Sequence, residues 1–229
     1  MLVKYNSYLK KNKFFYSLLR PIVNQIKVSK IFWRYRHFVD SKFASRYQND
    51  YSNKRRNYYS DIVNKYSLKI IFEYGCASGP NLKNIQENVK HHKNLIGFDI
   101  NSIVINYARK TFDNKNSLFI NRLELGVIED YLSKNYSSKI DLTIFDRVLY
   151  LLSEVQIKSH LKEFKHLYKY VIIDDFHNSQ EVIKEGNYYT KNYLELFGDF
   201  NLISLENSEH QINSKFFEDN AKKILLCKK

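Results

Sequence analysis

Residues 70–85 read IIFEYGCASGPNLKNI, and this stretch holds two of the six glycines and one of the two prolines in a 229-residue chain. A β-branched and aromatic run, Ile70 to Tyr74, breaks off at Gly75. An amphipathic run then begins at Pro80, with Leu82, Ile85 and Val89 at helical spacing. Glycine belongs where a backbone turns tightly or passes close to something, and proline is tolerated in a first helical turn, where its missing N–H is no loss. The stretch therefore predicts a buried strand, a tight turn and a helix, with room for a ligand at the turn.

The same alternation continues outward. NLIGFDI (94–100), SLFIN (117–121), KIDLTIFD (139–146) and YVIIDDF (170–176) read as strands. SIVINYARKTF (102–112), LGVIEDYLSK (125–134) and SEVQIKSHLKEFKHLYK (153–169) read as helices, the last with Val155, Leu161, Phe164 and Leu167 on its apolar face. A further helix is expected near 187–198. Two final runs, FNLISLEN (200–207) and AKKILLCKK (221–229), show no helical segment between them and are expected to pair antiparallel at a sheet edge. Strand–helix alternation implies a parallel sheet covered on both faces. The expectation is an α/β fold with seven strands, mostly parallel with an antiparallel last strand. Aromatic-rich segments around 5–19, 31–43 and 57–66 are expected to form an N-terminal helical cap, so that residues 1–67 precede a domain at 68–229.

Charge supports that division. The net +13 lies wholly in residues 1–70, which hold 16 Lys and Arg against three acids. Three readings of this segment stand open: contact with an acidic membrane surface through residues 1–30, a hold on nucleic-acid phosphates, or a cap whose lysines face water. No run of about 18 apolar residues is present to span a bilayer. The two cysteines, Cys76 and Cys227, are far apart and outside any metal spacing, which suits a reduced, cytoplasmic compartment; no metal site is expected.

In an open parallel sheet, ligands bind beyond the carboxyl ends of the strands where the strand order reverses. Glu73, Gly75, Cys76 and Gly79 stand at the end of the first strand and Asp99 at the end of the second. An acid in the latter position can accept both hydroxyls of a ribose. Together they point to a nucleoside-containing cofactor. The dinucleotide pattern G-x-G-x-x-G is absent, no Gly-Lys-Ser/Thr follows the turn, and Glu73 would repel a diphosphate.

The run EYGCASG resembles the E/D-x-G-x-G-x-G signature of class I S-adenosylmethionine-dependent methyltransferases, with Ala77 in place of the middle glycine. LIGFDIN and DLTIFDRVLYLL resemble that family's second- and fourth-strand segments, and WRYRH with RYQNDYSNKRRNYY resembles a bacterial stand-alone subgroup. The resemblance implies a Rossmann-like methyltransferase sheet and S-adenosylmethionine as cofactor. Glu73, Gly75 and Gly79 would line its methionine part and Asp99 its ribose. Ile100 would pack on adenine, Asn121 or Glu124 would take the third-strand acid's place, and Arg36 (or Arg34) would pair with the carboxylate. Asp146 would lie near the transferable methyl, and His177, after the fifth strand, is a candidate base. For each of these two a purely structural role stands beside the catalytic one. The expected activity is methyl transfer to an O, N or C atom of a small acceptor, with the lid aromatics Trp33, Tyr35, Tyr47, Tyr58 and Tyr59 shaping the pocket. A non-catalytic protein of the same fold, docking on nucleic acid or membrane, is the alternative.

Overall fold

The computed structural model describes residues 33–34, 42–91, 93–112, 115–135, 137–185, 188–209 and 214–229. Seven strands form one sheet: β1 (Ile70–Tyr74), β2 (Asn94–Phe98), β3 (Ser117–Ile120), β4 (Ile140–Asp146), β5 (Tyr168–Phe176), β6 (Phe200–Asn207) and β7 (Ala221–Lys228). Their spatial order is β3-β2-β1-β4-β5-β7-β6. The pairs from β3 through β5 are parallel, and β7 runs antiparallel to both β5 and β6. Chain order reverses between β1 and β4, which makes their carboxyl ends the switch point of the sheet.

The alternation of side chains along each strand builds two cores. On β1, Ile70 and Phe72 join Phe145, Ile157, Leu161 and Ile173 on one face. Ile71 joins Leu82, Ile85, Ile105, Leu142 and Ile172 on the other. The second face is covered by α2 (Asn57–Lys65), α3 (Pro80–Asn88) and α4 (Ser102–Thr111). The first is covered by α5 (Leu125–Lys134) and α6 (Glu154–Phe164). A capping box starts α6, Ser153 accepting from the Gln156 amide and the Gln156 side chain from the Ser153 amide. Ile157 holds the buried place expected for Val155, which points to solvent. Ahead of the sheet, α1 (Phe43–Asn49) and two short 3-10 turns lead into α2.

Two expectations are corrected. The connection between the last strands carries a helix, α8 (Lys215–Asn220), because Phe216 and Phe217 turn inward against Phe176, with Tyr150 in the same cluster. The expected helix near 187–198 is not one helix among its described residues, 188–198. Tyr188–Tyr189 pairs with Lys184–Glu185 in a small ribbon, and the Lys191 amide bonds the Phe176 carbonyl. Only after the Asn192 cap does one helical turn, α7 (Tyr193–Leu196), follow. No helix among the described residues is long and apolar enough to cross a membrane.

Candidate active site

The turn after β1 is built by backbone geometry. Gly75 (φ +79°) and Gly79 (φ +80°) take left-handed conformations, and Ala77 is held there too at φ +49°. The Gly75 and Cys76 amides both donate to the Phe98 carbonyl, at 2.7 and 2.9 Å, which fastens the turn to the end of β2. A Cβ on Gly75 would come within 2.6 Å of Val148 Cγ2, so the turn passes too close to the post-β4 segment for any side chain. Gly79 caps α3 just before Pro80.

A cavity of about 310 Å³ opens above this turn, within the size range of small-molecule sites. Its floor comprises Glu73 to Ala77, Phe98 to Ile100, and Asp146 to Val148. Trp33, Arg34, Phe43, Tyr47, Arg55 and Arg56 from the cap, with Pro80, Asn81, Leu151 and Leu152, form the wall. Hydrogen bonds around the cavity tie the cap down. Ser78 Oγ donates to the Ala44 carbonyl at 2.7 Å, Asn101 Nδ2 to the Trp33 carbonyl at 3.0 Å, Arg56 bonds Asn81 Oδ1, and Arg55 bonds Asp146.

Three carboxylates face this cavity in different states. Glu73 is buried; its Oε1 accepts from Asn81 Nδ2 at 2.7 Å, while Oε2 is buried with no hydrogen-bond partner among the described residues. Burial first, then the neighbouring Asp146 charge, pushes its carboxyl up to about 8, against the pull of Asn81, Arg56 and Arg55. An unpaired carboxylate in a dry site takes up a proton rather than stay charged. Asp99 accepts the Ala77 amide at 2.9 Å and the Asn101 amide at 2.8 Å; burial raises it to about 6 despite both bonds. Asp146 resists the effect of its own burial, because Arg55, Arg147, Arg56 and the Asn81 amide hold it at about 2.

The expected site residues divide accordingly. Glu73, Gly75, Cys76, Asp99, Ile100 and Asp146 come together on the cavity wall. The Cys76 thiol, however, is packed in the core with burial raising its pKa, so only its backbone is offered to a ligand. Gly79 shapes the turn without lining the cavity. Asn121 is solvent-exposed and off the cavity wall. His177 is not brought in either. Its ring is buried beside Tyr193, and Nδ1 lies 3.1 Å from the Lys191 carbonyl and 3.2 Å from the Tyr193 amide, so that nitrogen is engaged by backbone. Burial lowers its pKa further. Asp146 is on the wall but is a poor proton acceptor. Arg36, with His37 and residues 1–32, lies outside the described residues. Sequence reasoning passes over Arg55, Arg56, Asn81 and Arg147. The local signals are that Arg55 and Arg56 adjoin in a basic run and that Arg147 falls within DLTIFDRVLYLL, the run similar to the family's fourth-strand segment.

The orphaned, buried oxygen of Glu73 and the two acidic strand ends fit a ligand carrying an ammonium at one end and vicinal hydroxyls at the other. Residues 66–223 match the family described as Methyltransferase domain. No curated protein matches the chain. Among solved structures, magnesium protoporphyrin IX methyltransferase from Synechocystis PCC 6803 with bound SAM is similar at a TM-score of 0.56 and 12% identity, over 87% of this chain and 95% of that one. The plantazolicin methyltransferase BpumL in complex with SAH is similar at 0.54 and 15%, over 90% and 96%. The methyltransferase domain of bacterial CtHen1-C is similar at 0.56 and 13%, over 77% and 98%. The chain belongs to the methyltransferase domain family and has the fold of the class I S-adenosylmethionine-dependent enzymes.

Proposed function

We propose that the chain transfers the methyl group of S-adenosylmethionine to an O, N or C atom of a small acceptor. The observation that carries this reading is the buried Glu73 Oε2, without a hydrogen-bond partner among the described residues, on the same cavity wall as Asp99. Glu73 would receive the cofactor's ammonium, Asp99 its ribose hydroxyls, and Ile100 and Phe98 the flank of its adenine. Bound, the cofactor supplies a methyl on an electrophilic sulfonium, so the protein's share is alignment and exclusion of water. The Gly75 turn would bring backbone against the ligand, and the cap residues Trp33, Phe43 and Tyr47 line the cavity. Asp146, held ionised by Arg55, acts through position: it fixes Asn81 and Arg55 at the rim. Support for a small acceptor is the aromatic lining that Trp33, Phe43 and Tyr47 give to a cavity of about 310 Å³. Isothermal titration with S-adenosylmethionine and with NAD tests the cofactor. A labelled-methyl screen of saccharides, lipids, quinone precursors and RNA tests the acceptor. Absence of S-adenosylmethionine binding would remove the proposal.

A further inference from the structure

We propose that Arg147 reads an anionic group, a carboxylate or a phosphate, on the methyl acceptor; the inference rests on the methyltransferase reading above. The first ground is place. The residues suited to the cofactor belong to β1, β2 and their turns, whereas Arg147 follows the end of β4 and is fastened toward β5. Its Nε donates to Asp174 Oδ1 at 3.2 Å, and its Nη2 to Ser208 Oγ at 3.1 Å and to the Glu209 carbonyl at 3.0 Å. The anchor is itself held, since Asp174 also accepts from Ser208 Oγ at 2.6 Å and from the Tyr59 hydroxyl at 3.1 Å.

The second ground is what remains unused. Guanidinium has five N–H donors in a rigid plane. Nε and Nη2 are engaged, while Nη1 has no hydrogen-bond partner among the described residues. The side chain lines the cavity and keeps 21% of its surface exposed. The third is backbone strain. Arg147 sits at φ +53°, a conformation that side-chain-bearing residues rarely adopt, and its amide is pinned to the Asp174 carbonyl at 2.9 Å. Strain maintained by so many contacts at a ligand rim marks a functional position. Arg55, bound end-on to Asp146, adds a second guanidinium to the same wall, and Leu151 and Leu152 supply an apolar surface beside it. That combination suits an acceptor with an apolar body and an anionic end.

The test uses the full chain saturated with S-adenosylhomocysteine, titrated with benzoate and with its neutral isostere benzamide. Benzoate should bind at least about tenfold more tightly. Because Arg147→Ala would leave Asp174 buried without its cation, the informative variant is Arg147→Lys, with a melting curve as control. It should melt near the wild type, keep its affinity for S-adenosylhomocysteine and lose the preference for benzoate. Equal affinity for the two probes, or no binding of either, overturns the proposal. A loss of S-adenosylhomocysteine affinity with the benzoate preference intact assigns Arg147 to the cofactor's own carboxylate and equally overturns it. Failure of S-adenosylhomocysteine to bind the wild type would bring down the cofactor reading, and this inference with it.

Discussion

Arg55, in the segment ahead of the sheet, gives both terminal nitrogens to the two carboxylate oxygens of Asp146, 91 positions later, at 3.3 Å each. The pair joins the cap to the switch point of the sheet. Asn81 extends the connection: its amide nitrogen serves Asp146 at 2.9 Å and Glu73 at 2.7 Å, and its oxygen accepts from Arg56. Arg56 is in turn paired with Asp50 at 2.6 Å. Cap, cofactor turn and β4 end therefore form one polar network, and a change in any member should be felt at the others.

Arg55→Ala should destabilise the protein in a pH-dependent way. Asp146 is depressed in the folded state from 3.8 to about 2. A depressed acid contributes stability that is present above its unfolded pKa and lost as pH falls through the folded one, here from about 4 to about 2. Losing Arg55 should cost about 1–3 kcal/mol at pH 7, since Arg56 and Asn81 remain. The gap from wild type should close toward pH 2. Urea unfolding at pH 7, 4 and 2.5 measures it, and a gap independent of pH would show that the pair contributes through packing alone.

Glu73→Gln should do the opposite to stability while damaging binding. Glu73 is raised from 4.5 to about 8. A carboxyl raised on folding holds its proton longer in the native state, so the wild type loses stability as pH climbs from about 4.5 to about 8. The amide has no charge to bury. The variant should gain on the wild type across that window, by a few kcal/mol at most at pH 8. Affinity for S-adenosylmethionine should fall by about tenfold or more, because the ammonium loses an ionised acceptor. Denaturation at pH 5 and pH 8 with titration calorimetry reads both effects; an unchanged affinity would detach Glu73 from the cofactor.

Much of this is legible in the residues because it is encoded locally. β1, β4 and β5 are parallel strands buried on both faces and read as continuous apolar runs. Glu73, Gly75 and Asp99 are fixed by the turn they flank. The arginines are different. Arg55 and Arg147 acquire their meaning from partners 91 and 27 positions away, and in the sequence Arg55 is indistinguishable from the other cations of a basic segment. His177 shows the reverse case. Its place after β5 implies the ligand rim, but the bridge between His177 and Lys191 engages the ring elsewhere. The short helix α8 escapes notice because six residues carry too little periodicity to be seen.

Two glycine substitutions should separate steric demand from mere glycine content. Gly75→Ala places a methyl 2.6 Å from Val148 at φ +79°. It should cost about 1–3 kcal/mol and displace the turn that lines the cavity, lowering cofactor affinity with it. Gly126, second residue of α5, has open space where a methyl would sit, with nothing within 4 Å. Gly126→Ala should therefore raise stability by up to about 1 kcal/mol and leave binding alone. Thermal melts and calorimetry on both variants check this; a stable, tightly binding Gly75→Ala protein would contradict the close approach of turn and Val148.

Asp99→Asn distinguishes a ligand contact from a purely structural role. In the folded protein each Asp99 oxygen already accepts a backbone amide, from Ala77 and Asn101. Asparagine keeps one acceptor oxygen and turns an NH2 toward the other amide, a loss of about 1–3 kcal/mol even without ligand, which removal of a buried charge that burial raises to about 6 offsets in part at pH 7. Weaker cofactor binding alone would thus be ambiguous. Asp99 is raised to about 6, so the wild type loses a charged acceptor for ribose hydroxyls as pH drops below that value. Its affinity advantage over Asp99→Asn should be full at pH 7 and shrink markedly by pH 5. Glu73 is protonated in the unbound protein across that range, and its contribution is common to both proteins, so the ratio isolates Asp99. An advantage that stays constant from pH 7 to pH 5 would mean that Asp99 acts only by holding the turn.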